Sequence, residues 1–203
     1  MPRDAVVDRS IETAFAGVDD EVQKLFVAEI SNQLYRVNQE DQPSGWDQVV
    51  DGVRGADFTS VSPYGRVTFT FSYMLEVVEF VLAILRATSP VETGKYLKSH
   101  LTFVDGAAVS LGEIGKAKTV VIASVLPYSR RIELPRKNGK PWSPQPQVPL
   151  AGVYHAAAAT ANRKYGSIAF CSFTWVSAAA DDPSDTPAGR FPAIVLTDRI
   201  SPT

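Results

Sequence analysis

The segment GRVTFTFSYMLEVVEFVLAILRATSP, residues 65–90, changes its hydrophobic period halfway along. From Val67 to Tyr73 the apolar residues alternate with polar ones, which is the period of a half-buried β-strand. From Met74 onward they recur every three or four positions, which predicts a mostly buried helix. The apolar face of this helix comprises Leu75, Val78, Val81, Leu82 and Leu85. Because Pro90 disfavours helical geometry in the residue before it, we expect the helix to end there.

A long amphipathic helix is predicted before this segment, over Asp19–Glu40. Asp19 and Asp20 stand at the N-cap and in the first turn, where carboxylates are favoured. Its apolar stripe comprises Val22, Leu25, Phe26, Ile30, Leu34 and Val37. Residues 1–18 show no clear pattern and are interpreted as an N-terminal arm. Residues 42–62 are rich in glycine, proline and serine, which predicts a long loop with room for a short helical turn.

The chain after residue 90 predicts further strands and one more helix. Strand-like runs are HLTFVDG (100–106), KTVVIASVL (118–126), SIAFCSFTWVS (167–177) and RFPAIVLTDRI (190–200). An alanine-rich helix is predicted over residues 150–164, with Gly166 just after its end. Residues 127–149 contain six prolines and predict an extended surface loop, and 178–190 predict a flexible loop.

Strands and helices do not alternate regularly along the chain, and this favours an α+β fold. We expect a mixed or antiparallel sheet of about four to five strands packed with two to three helices, plus extended loops or arms. Residues 19–203 are predicted to form a single domain with long loops at 42–62, 127–149 and 178–190, because 203 residues lie near the usual size of one domain.

Composition excludes some classes of protein. Hydrophobic residues make up 45% and charged residues 21% of the chain, which is typical of a folded domain. The formal net charge of −2 argues against a protein that binds nucleic acid through its overall field. No apolar run reaches the roughly 18 to 20 residues that span a bilayer. The N-terminal MPRDAVVDRS also has no apolar segment typical of a signal peptide, so we expect an intracellular protein without membrane contact.

Signals for catalysis or cofactor binding are weak. The single cysteine, Cys171, lies in a strand-like run and is interpreted as a small buried hydrophobe. His100 and His155 have no partner at metal-ligand spacing and are interpreted as solvated or locally hydrogen-bonded. SLGEIGKAKT (110–119) lacks the spacing of a phosphate-binding loop, and DDPSD (181–185) lacks the pattern of a calcium loop. We therefore predict no enzyme, no catalytic residue, no metal and no cofactor.

The basic stretch SRRIELPRKNGK, residues 129–140, is the one charge feature with a plausible partner. Its cations are Arg130, Arg131, Arg136, Lys137 and Lys140. They are suited to contact a phosphate backbone or an acidic patch on another subunit. The other interpretation is a loop that its charges keep solvated, and the sequence leaves both open.

Two short segments resemble a known family. The first, PVETGKYLKS (90–99), is close to the pattern P-v-x-T-G-x-L-x-x-S through Pro90, Val91, Thr93, Gly94, Leu97 and Ser99, with Tyr96 at the leucine position of the pattern and Leu97 directly after it. The second, PYSRRIE (127–133), is close to the pattern P-Y-A-x-x-x-E through Pro127, Tyr128, Ser129, Ile132 and Glu133, with Ser129 in place of the alanine. With an apolar helix before them and an alanine-rich helix after them, they resemble the small neck and tail-completion proteins of tailed double-stranded DNA phages. Leu134 and Pro135 depart from the family, which commonly has an aromatic residue and a glycine there.

The resemblance implies a structural role in the virion. It implies a ring of identical subunits between head and tail, with adjacent head-connector and tail proteins as partners and DNA passing through the lumen without sequence-specific contact. Such a protein is made in the host cytoplasm and located in the virion. The candidate subunit-interface residues are Thr93, Gly94, Tyr96, Tyr128, Arg130, Arg131, Glu133, Arg136, Lys137, Lys140 and Trp142.

The resemblance does not show which position in the virion such a protein takes, whether it closes the head, forms the neck or terminates the tail. An alternative is a non-catalytic binding module that uses the basic residues 130–140 for nucleic acid or an acidic protein partner.

Overall fold

The structure, a computed structural model, describes residues 9–12, 20–62, 65–134, 139–140, 143–177 and 190–199. Within them the chain has four α-helices and two antiparallel sheets, which confirms the α+β fold class. The backbone divides into two compact units. The described residues up to Tyr73 form the first unit, and Met74–Arg199 form the second.

The first unit combines one helix with a four-stranded sheet. Helix α1 spans Asp20–Glu40. The strands are β1 (Arg9–Glu12), β2 (Gly45–Val50), β3 (Val53–Arg54) and β4 (Arg66–Ser72), in the order β1-β4-β2-β3. Apolar side chains of β4, Val67, Phe69 and Phe71, are buried on one face, as their alternation predicts.

Helix α1 confirms the predicted helix, but fewer of its apolar side chains are buried than the predicted apolar stripe contains. Ile30, Leu34 and Val37 are buried, whereas Leu25 is exposed. The periodicity therefore located the buried side of the C-terminal half of α1 and was wrong at Leu25.

The prediction of a loop over residues 42–62 is wrong for part of that range. Strand β2 pairs with β4, and β3 pairs with β2. The connection is the dipeptide Asp51-Gly52, in which both residues have positive φ (51° and 81°). Such a turn matches the twist of paired strands, and Asp-Gly is a favoured sequence for it. The short helical turn for which the predicted loop left room corresponds to the 3₁₀ turn at Phe58–Ser60.

Part of the predicted N-terminal arm also belongs to a sheet. Arg9–Glu12 pair with Arg66–Phe69 as strand β1. Residues 1–8 and 13–19 lie outside the described residues. The arm prediction was therefore wrong for Arg9–Glu12. These residues show no clear strand pattern in the sequence, and they form a strand through backbone hydrogen bonds to β4.

The second unit combines three helices with a five-stranded sheet, and its first helix confirms the helix that residues 74–90 predict. It begins with α2 (Met74–Thr88), which follows directly on β4. Its remaining elements are β5 (His100–Val104), β6 (Ala107–Val109), β7 (Thr119–Ser124), α3 (Ser129–Glu133), α4 (Val153–Tyr165), β8 (Ala169–Ser177) and β9 (Arg190–Asp198). The strands form one antiparallel sheet in the order β6-β5-β7-β9-β8.

Helices cover one face of this sheet. Helix α4 packs against β8 and β9, and α2 packs against α4. Ten strand residues on the covered face are buried, namely His100, Thr102, Val120, Ile122, Ser124, Ala169, Cys171, Pro192, Ile194 and Leu196, whereas Phe173 and Trp175 on the same face are partly exposed. Cys171 is thus the buried small side chain that its strand-like surroundings predicted.

Three differences from the predictions concern loops. Asp105-Gly106 forms a second Asp-Gly turn and adds the short strand β6. Residues 127–149, predicted to be extended, contain α3 instead, although 135–138 and 141–142 lie outside the described residues. Of the predicted loop 178–190, residues 178–189 also lie outside them, and Arg190 already belongs to β9.

Strand β8 is an edge strand of nine residues, and α4 occupies part of its open edge. The side-chain carbonyl of Asn162 accepts from the backbone N–H of Cys171 at 2.8 Å. The side-chain amide of Asn162 donates to the backbone carbonyl of Cys171. The backbone groups of Cys171 that do not pair with β9 are therefore satisfied within the chain.

Candidate functional site

The segment from Ser89 to His100 forms a corner between α2 and β5. The end of α2 is closed by side chains, since Thr88 Oγ1 donates to Ile84 O at 2.8 Å and Ser89 Oγ donates to Leu85 O at 2.5 Å. The turn uses Gly94 at φ 68°, a conformation that glycine adopts without steric cost. This is the helix-to-sheet corner that the sequence predicted.

A carboxylate from α3 caps helix α4. Both carboxylate oxygens of Glu133 accept from the Tyr154 backbone N–H at 3.0 Å, and Oε2 also accepts from the His155 N–H at 3.4 Å. The first N–H groups of a helix have no partner within the helix, so this contact stabilises the start of α4. Helix α4 therefore begins at Val153, after Gly152, rather than at the predicted residue 150.

Gly152 makes this capping contact sterically possible. Its φ is 93°, and a Cβ at this position would lie 2.4 Å from Glu133 Oε2 and 2.8 Å from Glu133 O. A side chain would therefore push α3 away from the start of α4. We conclude that Gly152 is the one residue type that permits this approach.

Tyr96 connects the corner to the cap. Its hydroxyl donates to Glu133 Oε1 at 3.4 Å, and the two residues are only 2% and 4% exposed. Burial raises the pKa of Glu133 to about 7, against the opposing effect of the hydrogen bonds from Tyr154, His155 and Tyr96. Burial, followed by the adjacent Glu133 charge, also raises the pKa of Tyr96 well above its ordinary range.

His100 is buried beside this cap in a defined hydrogen-bond chain. Its Nε2 lies 2.9 Å from Ser89 Oγ, and its Nδ1 lies 2.8 Å from the Tyr154 hydroxyl. The Ser89 hydroxyl proton is already donated to Leu85 O, so the arrangement fits a neutral ring with its proton on Nε2. Burial, together with nearby Arg86, lowers the pKa of His100 to about 4. The prediction of a solvated or locally bonded histidine was wrong, because both partners of His100 are distant in sequence.

Two serine contacts complete the polar cluster, which we define as Ser89, Tyr96, Ser99, His100, Ser124, Ser129, Glu133 and Tyr154. Ser99 Oγ lies 2.7 Å from Ser124 Oγ, and Ser129 Oγ donates to Ser124 O at 3.4 Å. The cluster therefore joins the corner, β7, α3 and α4 through hydrogen bonds between groups that are mostly buried.

The proline-rich segment is also connected to the corner. The Val91 backbone N–H donates to Gln145 Oε1 at 2.9 Å, and Gln147 Nε2 donates to the same oxygen at 2.6 Å. Val148 is buried. The residues around Gln145 therefore pack on the fold, whereas the sequence predicted only an extended surface loop.

Two of the predicted interface residues are in the interior. Tyr96 and Glu133 belong to the buried polar cluster, so they support the corner and are not available to contact another subunit in this structure. The sequence pattern located them near one another but did not distinguish a buried role from a surface role.

The other described candidates lie at the surface to different extents. Thr93, Tyr128, Arg131 and Lys140 are exposed, and Gly94 is partly exposed. Arg130 is partly buried, with its guanidinium carbon 5.2 Å from the centre of the Trp175 ring. The Tyr128 ring lies 6.5 Å from that of Tyr96. Arg136, Lys137 and Trp142 lie outside the described residues.

Sequence reasoning missed Gly152, Ser89 and Tyr154 as parts of this arrangement. The available signal was Gly152 itself, because the alanine-rich helix that follows it has no Ser, Thr, Asp or Asn at its start. A helix that lacks a local cap requires another acceptor for its first N–H groups, and Glu133 provides it.

Two properties of the described residues concern metal binding and thiol chemistry. Among them, no group of three or more His, Cys, Asp or Glu side chains is arranged to hold a metal ion. Burial raises the pKa of the Cys171 thiol to about 11, so the reactive thiolate is disfavoured. No helix in the described part of the chain is long and apolar enough to cross a membrane.

Comparison with known proteins adds no relative. No protein-family model, curated protein or solved structure matches this chain.

Proposed function

We propose that the chain is a structural virion protein of the phage neck or tail, which assembles as a ring that joins head to tail around the DNA path. Identical subunits and the adjacent head-connector and tail proteins would be its partners. On this proposal DNA passes through the lumen without sequence-specific contact, and the work of the protein is assembly rather than catalysis.

One observation carries the proposal. The two segments that resemble the phage family, residues 90–99 and 127–133, are separated by 27 residues in sequence and meet at the Tyr96–Glu133 hydrogen bond. Ser99 and Ser129, one from each segment, both contact Ser124. This supports the proposal because the two short patterns lie on segments that form one structural unit.

The exposed part of that unit suggests how it would be used. Thr93, Tyr128 and Arg131 are exposed on segments that the buried cluster holds in place. Residues presented on a rigid corner lose little conformational entropy on docking, which favours repeated contacts in a ring. The buried members of the cluster would fix the geometry, and the exposed members would make the contact.

The test is localisation of the protein in particles. Antibodies raised against the purified chain should label tailed particles from the producing cells at the junction of head and tail. Electron microscopy of the same particles should show a ring at the labelled position. Absence of the chain from purified particles, or labelling spread along the tail or over the head, would contradict the proposal.

The alternative of a nucleic-acid binding module is less well supported by the described cations. Arg130 packs on Trp175, and the chain has a net negative charge. A triple variant, Arg131→Ala, Lys137→Ala and Lys140→Ala, separates the two functions. Salt-dependent DNA binding that this variant loses would favour the binding module, whereas DNA binding that is absent from both proteins agrees with a structural role.

A further inference from the structure

The dipeptide Asp-Gly occurs twice in the chain, each time after a valine and each time in a tight turn between paired strands. Val50-Asp51-Gly52 connects β2 to β3, and Val104-Asp105-Gly106 connects β5 to β6. Asp51 and Asp105 have positive φ of 51° and 50°, and both glycines have φ 81°. The two aspartates and the two glycines are all exposed. The two turns therefore match in sequence, in φ and in access to water.

The carboxylates of the two aspartates differ in their contacts. Asp51 Oδ2 accepts from the Ser62 backbone N–H at 2.8 Å, and Oδ1 accepts from the Arg66 backbone N–H at 2.8 Å. A Cβ added at Gly65 would collide with the same carboxylate, so the segment that carries the two donors packs closely against it. Within the described part of the chain, no hydrogen bond or ion pair holds the carboxylate of Asp105. One carboxylate is therefore anchored and the other is free to move.

The anchoring also affects the protonation of Asp51. The backbone hydrogen bonds from Ser62 and Arg66 hold the pKa of its carboxyl below the ordinary value. A carboxylate is a poorer electrophile than the neutral carboxyl group, which can lose its hydroxyl group as water. The two N–H donors therefore reduce the population of the reactive form of Asp51 as well as the movement of its side chain.

The backbone of the Asp51 turn is held by further hydrogen bonds. The Asp51 N–H donates to Arg66 O at 2.9 Å, which ties the turn to the neighbouring strand β4. The Gly55 N–H, directly after β3, donates to Gln48 O at 2.8 Å. The Asp105 turn connects β5 to β6, a three-residue strand at the edge of its sheet. A turn opens most readily where few backbone hydrogen bonds must break, so we expect the Asp105 turn to open more often.

We propose that Asp105-Gly106 is a site of spontaneous isomerisation to iso-aspartate, and that the anchored carboxylate protects the equivalent dipeptide Asp51-Gly52. The Gly106 backbone nitrogen attacks Cγ of the neutral Asp105 carboxyl, a C–N bond forms, and the hydroxyl group leaves with the proton of the nitrogen as water. The product is a five-membered succinimide ring. Water then breaks the bond between this nitrogen and the main-chain carbonyl carbon of Asp105, which leaves the chain connected through the side-chain carboxyl.

The reaction changes the turn in which it occurs. Iso-aspartate adds a methylene carbon to the backbone, so the connection no longer has the length that pairs Val104 with Ala107. We expect the pairing of β6 to be lost, while the order from β5 to β8 remains. This inference does not rest on the proposed function, because the chemistry of the turn is the same in a protein of any function.

The test is peptide mapping of the full native chain after prolonged incubation below its unfolding temperature. Trypsin releases the two dipeptides in different peptides, 37–54 and 99–116. Chromatography with electron-transfer fragmentation distinguishes iso-aspartate from aspartate in each peptide. We expect iso-aspartate to form roughly tenfold faster at Asp105 than at Asp51, because Asp51 must first lose a hydrogen bond to its charged group.

The denatured chain is the matched control. Guanidinium chloride removes the contacts of the Asp51 carboxylate, and the two Val-Asp-Gly sequences should then isomerise at nearly equal rates. Gly106→Ala provides a second control, because its Cβ hinders the attacking nitrogen, and the reaction at Asp105 should be suppressed in the native and in the denatured chain. Deamidation of Asn138, which also precedes a glycine, is read in the separate peptide 138–163.

The outcomes separate this inference from the proposed function. A preference for Asp105 in the native chain that disappears in denaturant supports the inference. Equal rates at the two sites in the native chain overturn it, as does a native chain that forms no iso-aspartate at Asp105 while the denatured chain does. An unchanged rate at position 105 in Gly106→Ala also overturns it. None of these results changes the localisation expected in particles.

Discussion

Glu133 and His100 are two titratable side chains buried in the same cluster with opposite effects on stability. Tyr154 connects them, since its backbone N–H donates to Glu133 and its hydroxyl contacts His100. Their neutral forms are favoured by burial, so the pKa of Glu133 is raised to about 7 and that of His100 is lowered to about 4. The folded state therefore holds an extra proton on Glu133 and lacks one on His100 over much of the acidic range.

These shifts predict opposite pH dependence in two variants. A raised carboxyl pKa contributes stability that is complete below the unfolded value of 4.5 and is lost as pH rises towards about 7. A lowered histidine pKa contributes stability that is present above the unfolded value of 6.5 and is lost as pH falls towards about 4. Glu133→Gln should therefore gain stability from pH 4 to 6.5, whereas His100→Gln should lose stability from pH 4.5 to 7.

The measurement is urea denaturation followed by circular dichroism at closely spaced pH values. The free energy of unfolding of each single variant should depend more steeply on pH than that of the wild type, in which the two effects partly cancel between pH 4.5 and 6.5. For each variant this free energy should change by on the order of 2–3 kcal/mol across its pH window. Parallel pH profiles of the two variants would contradict the assignment of these pKa values.

At the scale of elements, α3 and α4 depend on one close contact. The backbone of Gly152 approaches Glu133 at distances that exclude a side chain. The turn from α3 to the start of α4 is therefore determined by a glycine whose φ is positive and by a carboxylate that is distant in sequence.

Gly152→Ala should destabilise the protein more than an ordinary glycine substitution. The change adds both positive-φ strain and a steric conflict with Glu133, so we expect a loss of about 2 kcal/mol or more in the free energy of unfolding. Gly106→Ala is the matched control, because Gly106 has φ 81° with no atom within 4 Å of an added Cβ. It should lose only about 1 kcal/mol, from strain alone. Equal losses in urea denaturation would show that the contact with Glu133 has no energetic importance.

Most elements could be predicted from sequence because their burial is periodic. The strand at 66–72 and helices α1 and α2 carry apolar side chains at the spacing of their element, and the structure confirms all three. Strand β2 was missed because GWDQVV does not alternate cleanly. The signals that could have recovered β2 and β6 are the two Asp-Gly dipeptides at 51–52 and 105–106, which form tight turns.

The polar cluster was less accessible to sequence reasoning than the fold. Tyr96 and Glu133 were singled out by a family pattern, but their burial depends on how α3 folds back onto the corner. His100 could not be assigned because its partners, Ser89 and Tyr154, belong to other elements. Periodicity reports local burial along one element, whereas a hydrogen-bond cluster is formed by several elements that meet only after folding.

At the scale of the whole molecule, each of the two units has its own buried residues. Ile30, Val67 and Phe69 are buried in the first unit, and the helix-covered sheet is buried in the second. A single domain over residues 19–203 was predicted from length alone. A compact unit with its own core generally folds alone, so the division predicts that a unit unfolds cooperatively without the other.

A fragment of residues 74–203 should therefore fold without the preceding residues. We expect a cooperative thermal transition and the α+β circular dichroism signal of a sheet with helices on one face. The fragment 1–73, prepared in the same way, provides the comparison. A fragment 74–203 that gives no cooperative transition would favour the single domain.

Asn162 interrupts the outer edge of β8 at Cys171. Because its side chain occupies both backbone groups of Cys171 at the outer edge of β8, an incoming strand finds no continuous ladder of donors and acceptors there. Growth by endless strand addition along this edge is thereby disfavoured.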